Sequence, residues 1–223
     1  MKRLHRRTNV HLAAYAVLYL VHSLLSLPLL HAQSPEEMLG RLKATYRDDV
    51  AIRADFSQQL TSPDGERLPG VEGTIVLLGD RYRVDTDGQT LVTNGETTWI
   101  YNRYENQVLV HYYVDDPSTF SLSDFLFAFD THYEILETNL KYLDGVRHQV
   151  LTLRPLAEES FFREVTLWMR DTDSVITRLR VLDMNEAELD FGLEHLEFDP
   201  PLAGDPFTFE PPDGVEVIDL RAE

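Results

Sequence analysis

A mainly β fold of the α+β kind is predicted by three observations. Side chains alternate with a period of two from Gly73 almost to Phe198, turn dipeptides punctuate that pattern, and only two stretches show helical spacing. Two helices cannot cover both faces of roughly ten strands unless the sheet curls around them. The expected architecture is therefore a single strongly curved antiparallel sheet forming an incomplete β-barrel, with helices across its mouth.

The first element is a leader. Lys2, Arg3, Arg6 and Arg7 precede an almost wholly apolar or small run from Leu12 to Leu30, and His31-Ala32-Gln33 closes it. This order of basic, apolar and small residues is that of a secretory signal peptide over residues 1–32, with export as its consequence. An uncleaved anchor is the alternative, since about 19 apolar residues suffice to span a bilayer. Residues 33–223 then form one domain, because a chain of about that length buries one sizeable core but not two.

Ser34-Pro35-Glu36-Glu37 opens a helix: a capping serine, proline at the first helical position, and acids at the positive end of the helix dipole. Met38, Leu39, Leu42 and Tyr46 fall on one side of it. After Asp48-Asp49, Ile52, Ala54 and Phe56 alternate with Arg53, Asp55 and Ser57 as on a half-buried strand, and Pro63-Asp64-Gly65 makes a turn. Further strands are expected at about 73–78, 81–86, 89–93, 97–102 and 106–113, then at 133–140, 147–154, 163–169, 175–183 and 188–198. Asp87-Gly88, Asn94-Gly95 and Asp144-Gly145 are the hairpin turns.

Between the two strand series, Leu122, Phe125, Leu126 and Phe129 recur at helical spacing. Phe125-Leu126-Phe127-Ala128-Phe129 leaves this helix little polar face, which is more apolar surface than one contact requires. It reads either as a short core helix or as a lid over an apolar cavity. On the sheet, Trp99 and Tyr101 share one face of their strand, and together with Tyr82 and Val84 they are expected to build an aromatic, apolar wall.

Composition excludes several functions. Without the four basic residues of the leader, 16 Lys+Arg stand against 38 Asp+Glu, a net charge of −22, so nucleic acid is excluded as a partner. The absence of cysteine leaves no disulfide and no site for lipidation after the leader. His111, His132, His148 and His195 are scattered and no Gly-x-Ser-x-Gly occurs, so no metal, no cofactor and no enzymatic activity is expected. Asp85-Thr86-Asp87-Gly88 and Asp171-Thr172-Asp173 lack the remaining ligands of a calcium loop and read as turns.

In order along the chain, Ala54-Asp55-Phe56-Ser57-Gln58, Gly73-Thr74-Ile75, Tyr82-Arg83-Val84, Leu91-Val92-Thr93-Asn94-Gly95 with Trp99-Ile100-Tyr101, and Phe207-Thr208-Phe209-Glu210-Pro211-Pro212-Asp213-Gly214-Val215 resemble the LolA family of periplasmic lipoprotein carriers. The related acceptor LolB is itself a lipoprotein, and the lack of cysteine favours the carrier. The resemblance implies a chaperone that takes lipoprotein acyl chains from the inner to the outer membrane. It implies as partners an inner-membrane lipoprotein-releasing ABC transporter and an outer-membrane acceptor, with the carrier acting as a monomer. A lipid-sensing or adaptor module on the same fold and an exported hydrolase are the alternatives.

The acyl-chain contacts expected on this basis are Phe56, Tyr82, Val84, Trp99 and Tyr101 from the sheet and Leu122, Phe125, Leu126 and Phe129 from the lid. Many family members latch their helices with the arginine of an Arg-Pro pair. The matching place here is Gly79-Asp80, which leaves Arg81 and Arg83 as latch candidates, and Val84 stands where many members carry tryptophan.

Overall fold

The computed structural model describes residues 34–114, 127, 131–157 and 160–222. The leader and the lid residues Leu122, Phe125, Leu126 and Phe129 lie outside the described residues.

Helix α1 (Pro35–Thr45) carries Glu36 and Glu37 in its first turn and Lys43 in its last, as the helix dipole favours. Its expected apolar side is its buried side: Met38 and Leu42 are 1% exposed, and Tyr46, just past the end, is buried with them. Burying Met38 and Leu42 contributes on the order of 3–6 kcal/mol to docking the helix. The Tyr46 hydroxyl accepts the backbone N–H of Ile176 at 2.8 Å, and its ring meets Phe198 edge-on at 5.5 Å. Burial pushes the Tyr46 phenol well above its usual range.

The strands are β1 (Ile52–Thr61), β2 (Val71–Leu78), β3 (Arg81–Thr86), β4 (Gln89–Thr93), β5 (Thr97–Asn102), β6 (Gln107–Tyr112), β7 (Tyr133–Leu143), β8 (Val146–Pro155), β9 (Phe162–Arg170), β10 (Ile176–Asp183), β11 (Glu188–Phe198) and β12 (Glu216–Asp219). They form one curved, unclosed sheet in the order β12-β6-β5-β4-β3-β2-β1-β11-β10-β9-β8-β7. The two series expected from periodicity are thus two meanders, joined where β1 pairs β11. The short β12 falls outside those series. It runs parallel to β6, so the sheet is antiparallel everywhere except at that margin.

Asp144-Gly145 makes a two-residue hairpin with positive φ at both positions (51° and 78°), the geometry for which Asp-Gly is suited. Asn94-Gly95 works differently. Only Gly95 has positive φ, and the loop runs from Asn94 to Glu96, with Asn94 Oδ1 accepting the N–H groups of Glu96 and Thr97. In β11, His195 takes a φ of 49° where the β1–β11 register shifts, a bulge that bends the sheet.

The face against α1 carries the main core: Ile52 and Ala54 of β1, Ile75 and Leu77 of β2, Leu151 and Leu153 of β8, Val165, Leu167 and Met169 of β9, and Leu179 and Val181 of β10. The opposite face is not uniformly solvated. Over β3–β6 it carries a second apolar layer in which Val92, Val108, Val110 and Phe207 are buried. The chain between β11 and β12 packs there, placing Phe207 under the Arg81 guanidinium at 4.9 Å and Phe209 beside Tyr101 at 5.8 Å.

Candidate functional site

The inner face of the first meander is assembled by register. Ala54 pairs Ile75, Ile75 pairs Val84, Val84 pairs Leu91, Leu91 pairs Ile100, and Ile100 pairs Leu109. Directly paired residues share a face, so this is one unbroken apolar row across six strands, about 24 Å long at 4.8 Å per strand. Ala54 and Ile75 are buried near α1, whereas Val84, Leu91, Ile100 and Leu109 remain half-buried and present apolar surface.

Beside this row, Phe56 faces Gly73 across the β1–β2 ladder. A Cβ at Gly73 would lie 2.9 Å from the Phe56 ring and 2.1 Å from the Asp85 carbonyl oxygen, so only glycine lets β3 and the ring approach this closely. At this end of the strands a groove of about 1700 Å³ opens, in which Phe56, Val71, Val84 and Leu91 stand among a larger number of polar lining residues, Asp55, Asp85 and His195 among them.

Of the sheet residues expected to line a cavity, Phe56, Tyr82 and Val84 are together on the inner face, packed at the edge of the main core. Trp99 and Tyr101 are not with them. Trp99 pairs Val92 and Val110, and Tyr101 pairs Thr90 and Val108, all on the outer face beneath the chain between β11 and β12. The reason is parity. Each of the two hairpins from β3 to β5 pairs an even-numbered residue with an odd-numbered one, so the inner face returns to even numbers on β5. The shared wall is corrected accordingly: Ile100, not Trp99, joins Tyr82 and Val84. Leu91, Ile100 and Leu109 are the wall residues that sequence reasoning missed, although counting through the expected turns would have found them.

The latch candidates Arg81 and Arg83 also point outward, since Tyr82 and Val84 point inward on the same strand. Arg81 covers Phe207, and Arg83 Nε donates to Asp85 at 2.5 Å. Asp85 in addition accepts from Thr90 at 2.7 Å, and Arg103 lies 3.7 Å away. Burial alone would raise the Asp85 carboxyl, but the bonds from Arg83 and Thr90 and the charge of Arg103 outweigh it and hold it below the usual range. Neither arginine faces α1, so no latch to that helix forms through them. Gly79-Asp80 is the β2–β3 turn and abuts Gly95, whose Cβ position lies 3.0 Å from the Asp80 carboxylate.

Of the aspartates in the acidic segments, Asp171 and Asp173, like Asp85, are bonded within the protein. Asp171 accepts from Gln149 at 2.8 Å and from Arg147, and these bonds, in that order, lower its carboxyl despite burial. Its carbonyl accepts from Arg41 of α1 at 3.3 Å. Asp173 is held by Arg170. On the outer face of the second meander, Arg178 and Arg180 flank the Trp168 ring at 4.9 and 5.5 Å, and both pair with Asp190.

Among the described residues, then, an incomplete β-barrel curves over one helix and presents an apolar inner face. Residues 50–210 match the family described as outer membrane lipoprotein carrier protein LolA, and the chain belongs to that family. It is 29% identical over 200 residues to an outer-membrane lipoprotein carrier protein of Vibrio campbellii, covering 86% of this chain and 88% of the relative. A protein of the same description from Aliivibrio fischeri is 27% identical over 207 residues, covering 89% and 98%. Among solved structures, an uncharacterized conserved protein from Thermus thermophilus superposes with a TM-score of 0.55 at 15% identity, covering 84% of this chain and 99% of that one, a likeness of fold.

Proposed function

We propose that this protein is a periplasmic chaperone that binds the acyl chains of lipoproteins on its inner face and carries them from the inner to the outer membrane. The observation that carries the proposal is the unbroken inner row ending in half-buried Val84, Leu91, Ile100 and Leu109, in a chain of the lipoprotein-carrier family. The leader at residues 1–32 supports an exported location, and among the described residues no helix is long and apolar enough to cross a membrane.

The physical demand on such a carrier is large. At about 0.8 kcal/mol per methylene, exposing one sixteen-carbon chain to water costs on the order of 12 kcal/mol, so unassisted crossing of an aqueous compartment is negligible. A wall of half-buried aliphatic side chains meets that demand without covalent chemistry. Phe56, Tyr82 and Val84 belong to it. Loading comes from an inner-membrane transporter of the ABC class and delivery is to an outer-membrane acceptor.

The test is native mass spectrometry of the protein isolated from its periplasm without detergent. Co-purified lipoprotein, or stoichiometric binding of a synthetic diacylated cysteinyl peptide, is the expected result. A protein that comes out empty and does not bind the lipopeptide overturns the proposal.

A further inference from the structure

The two margins of the sheet are unlike. β12 is four residues long and is followed at once by a 3-10 turn, Leu220–Ala222, whereas β7 runs for eleven residues with β8 as its one neighbour in the sheet. Among the described residues no strand pairs with the other side of β7, and a long unpaired margin is a template for another strand that proteins ordinarily blunt. β7 instead presents large apolar side chains: Leu136 is 49% exposed, Leu140 50% and Tyr142 70%.

Its charges form a self-complementary pattern. Beyond the bulge between Ile135 and Glu137, β7 reads Glu137-Thr138-Asn139-Leu140-Lys141. Glu137 and Lys141 are both exposed, and neither has an ion-pair or hydrogen-bond partner among the described residues. They share a face, being four residues apart on a strand, and Asn139 lies midway. In an antiparallel ladder with a two-fold axis at Asn139, Glu137 of each copy stands directly opposite Lys141 of the other. Thr138 then faces Leu140, and Leu136 comes to Tyr142. Moving the axis to Thr138 sets Ile135 against Lys141 and leaves Glu137 opposite Asn139, so the charges select the Asn139 register.

We propose that β7 is an interface for a second copy of this chain, pairing edge to edge about Asn139 so that the two sheets become continuous. Overall charge opposes this association and local charge directs it, so the complex is a reversible dimer and not an obligate one. A self-associating margin departs from the monomer expected from sequence.

Sedimentation equilibrium at about 0.15 M salt, where the Debye length is about 8 Å, tests the register. The wild type is expected to show a monomer–dimer equilibrium, with amides of residues 137–141 gaining hydrogen-exchange protection as concentration rises. Glu137→Lys or Lys141→Glu alone makes two like-charge contacts per dimer and weakens it about tenfold or more. The double variant E137K/K141E restores both pairs and should return the affinity to near wild type, which neither misfolding nor a change in net charge reproduces. A protein that stays monomeric up to about 1 mM overturns the proposal. So does a dimer indifferent to the single reversals, or protection of β7 that appears only when a diacylated peptide is added, which assigns the margin to cargo.

Discussion

Substituting Ile100 by glutamate tests the inner wall at the residue where parity matters most. Ile100 sits between Leu91 and Leu109 in the cross-strand row and is half-buried, so the substitution leaves the fully buried core untouched. An ionised carboxylate there keeps its water, and about four or five methylenes of an overlying chain lose apolar cover. At about 0.8 kcal/mol each, that is roughly 3–4 kcal/mol, or a 10²- to 10³-fold loss of affinity. Displacement of a fluorescent fatty acid by a diacylated peptide measures it, with circular dichroism confirming the fold. The control is Trp99→Ala on the adjacent residue: it removes outer-face packing and lowers the melting temperature, but leaves affinity within about threefold. If Ile100→Glu binds normally and Trp99→Ala does not, the assignment of the binding surface to the inner face is wrong.

Asp171→Asn, which weakens the tie to Arg147 and Gln149, should lower stability by about 1–3 kcal/mol at neutral pH in urea titrations. Because the folded Asp171 carboxyl is held below its unfolded value of about 3.9, its contribution is full above that pH and fades as pH falls through the folded value; the variant should therefore flatten the acid limb of the stability curve. Gly73→Ala should destabilise by about 1–3 kcal/mol or more, since its Cβ falls 2.1 Å from a backbone oxygen, and a wild-type melting temperature would contradict the close approach of β2 and β3. Phe207→Ala should cost about 3–5 kcal/mol and speed hydrogen exchange in β5 and β6 before β9 and β10; uniform acceleration would count against a separate outer layer.

Much of this architecture is legible in the sequence because it is local. Met38, Leu42 and Tyr46 at helical spacing, and strands of period two between Gly-containing turns, each carry their signal within a few residues. What fails is the composition of local rules over distance. The faces of Tyr82 and Trp99 are related only through two hairpins, and a residue's side of its own strand does not reveal its side of the sheet until the pairings are counted. The Phe207-x-Phe209 stretch stands out as a signature, but its place on the outer face depends on contacts with Arg81 and Tyr101, more than a hundred residues away. β12 is four residues in an acidic stretch and is held by a parallel partner, which leaves almost no periodic trace. The outward aim of Arg81 and Arg83 follows from the same alternation that turns Tyr82 inward.

The layer of Val92, Val108, Val110 and Phe207 behind β3–β6 has a mechanical consequence. A filled apolar layer resists compression, so strands backed by one keep their curvature without close packing on the other face. β3–β6 are braced in this way from the outer face, and their inner row of Val84, Leu91, Ile100 and Leu109 stays half-buried. Over the second meander the packing is reversed: the close-packed core of Leu151, Leu153, Val165, Leu167 and Leu179 lies inside, and the outer surface is a lattice of Arg178, Arg180, Asp190 and Trp168. The two halves of the sheet are thus braced from opposite faces, so the inner row over β3–β6 owes its shape to the layer behind it and not to whatever meets it from inside.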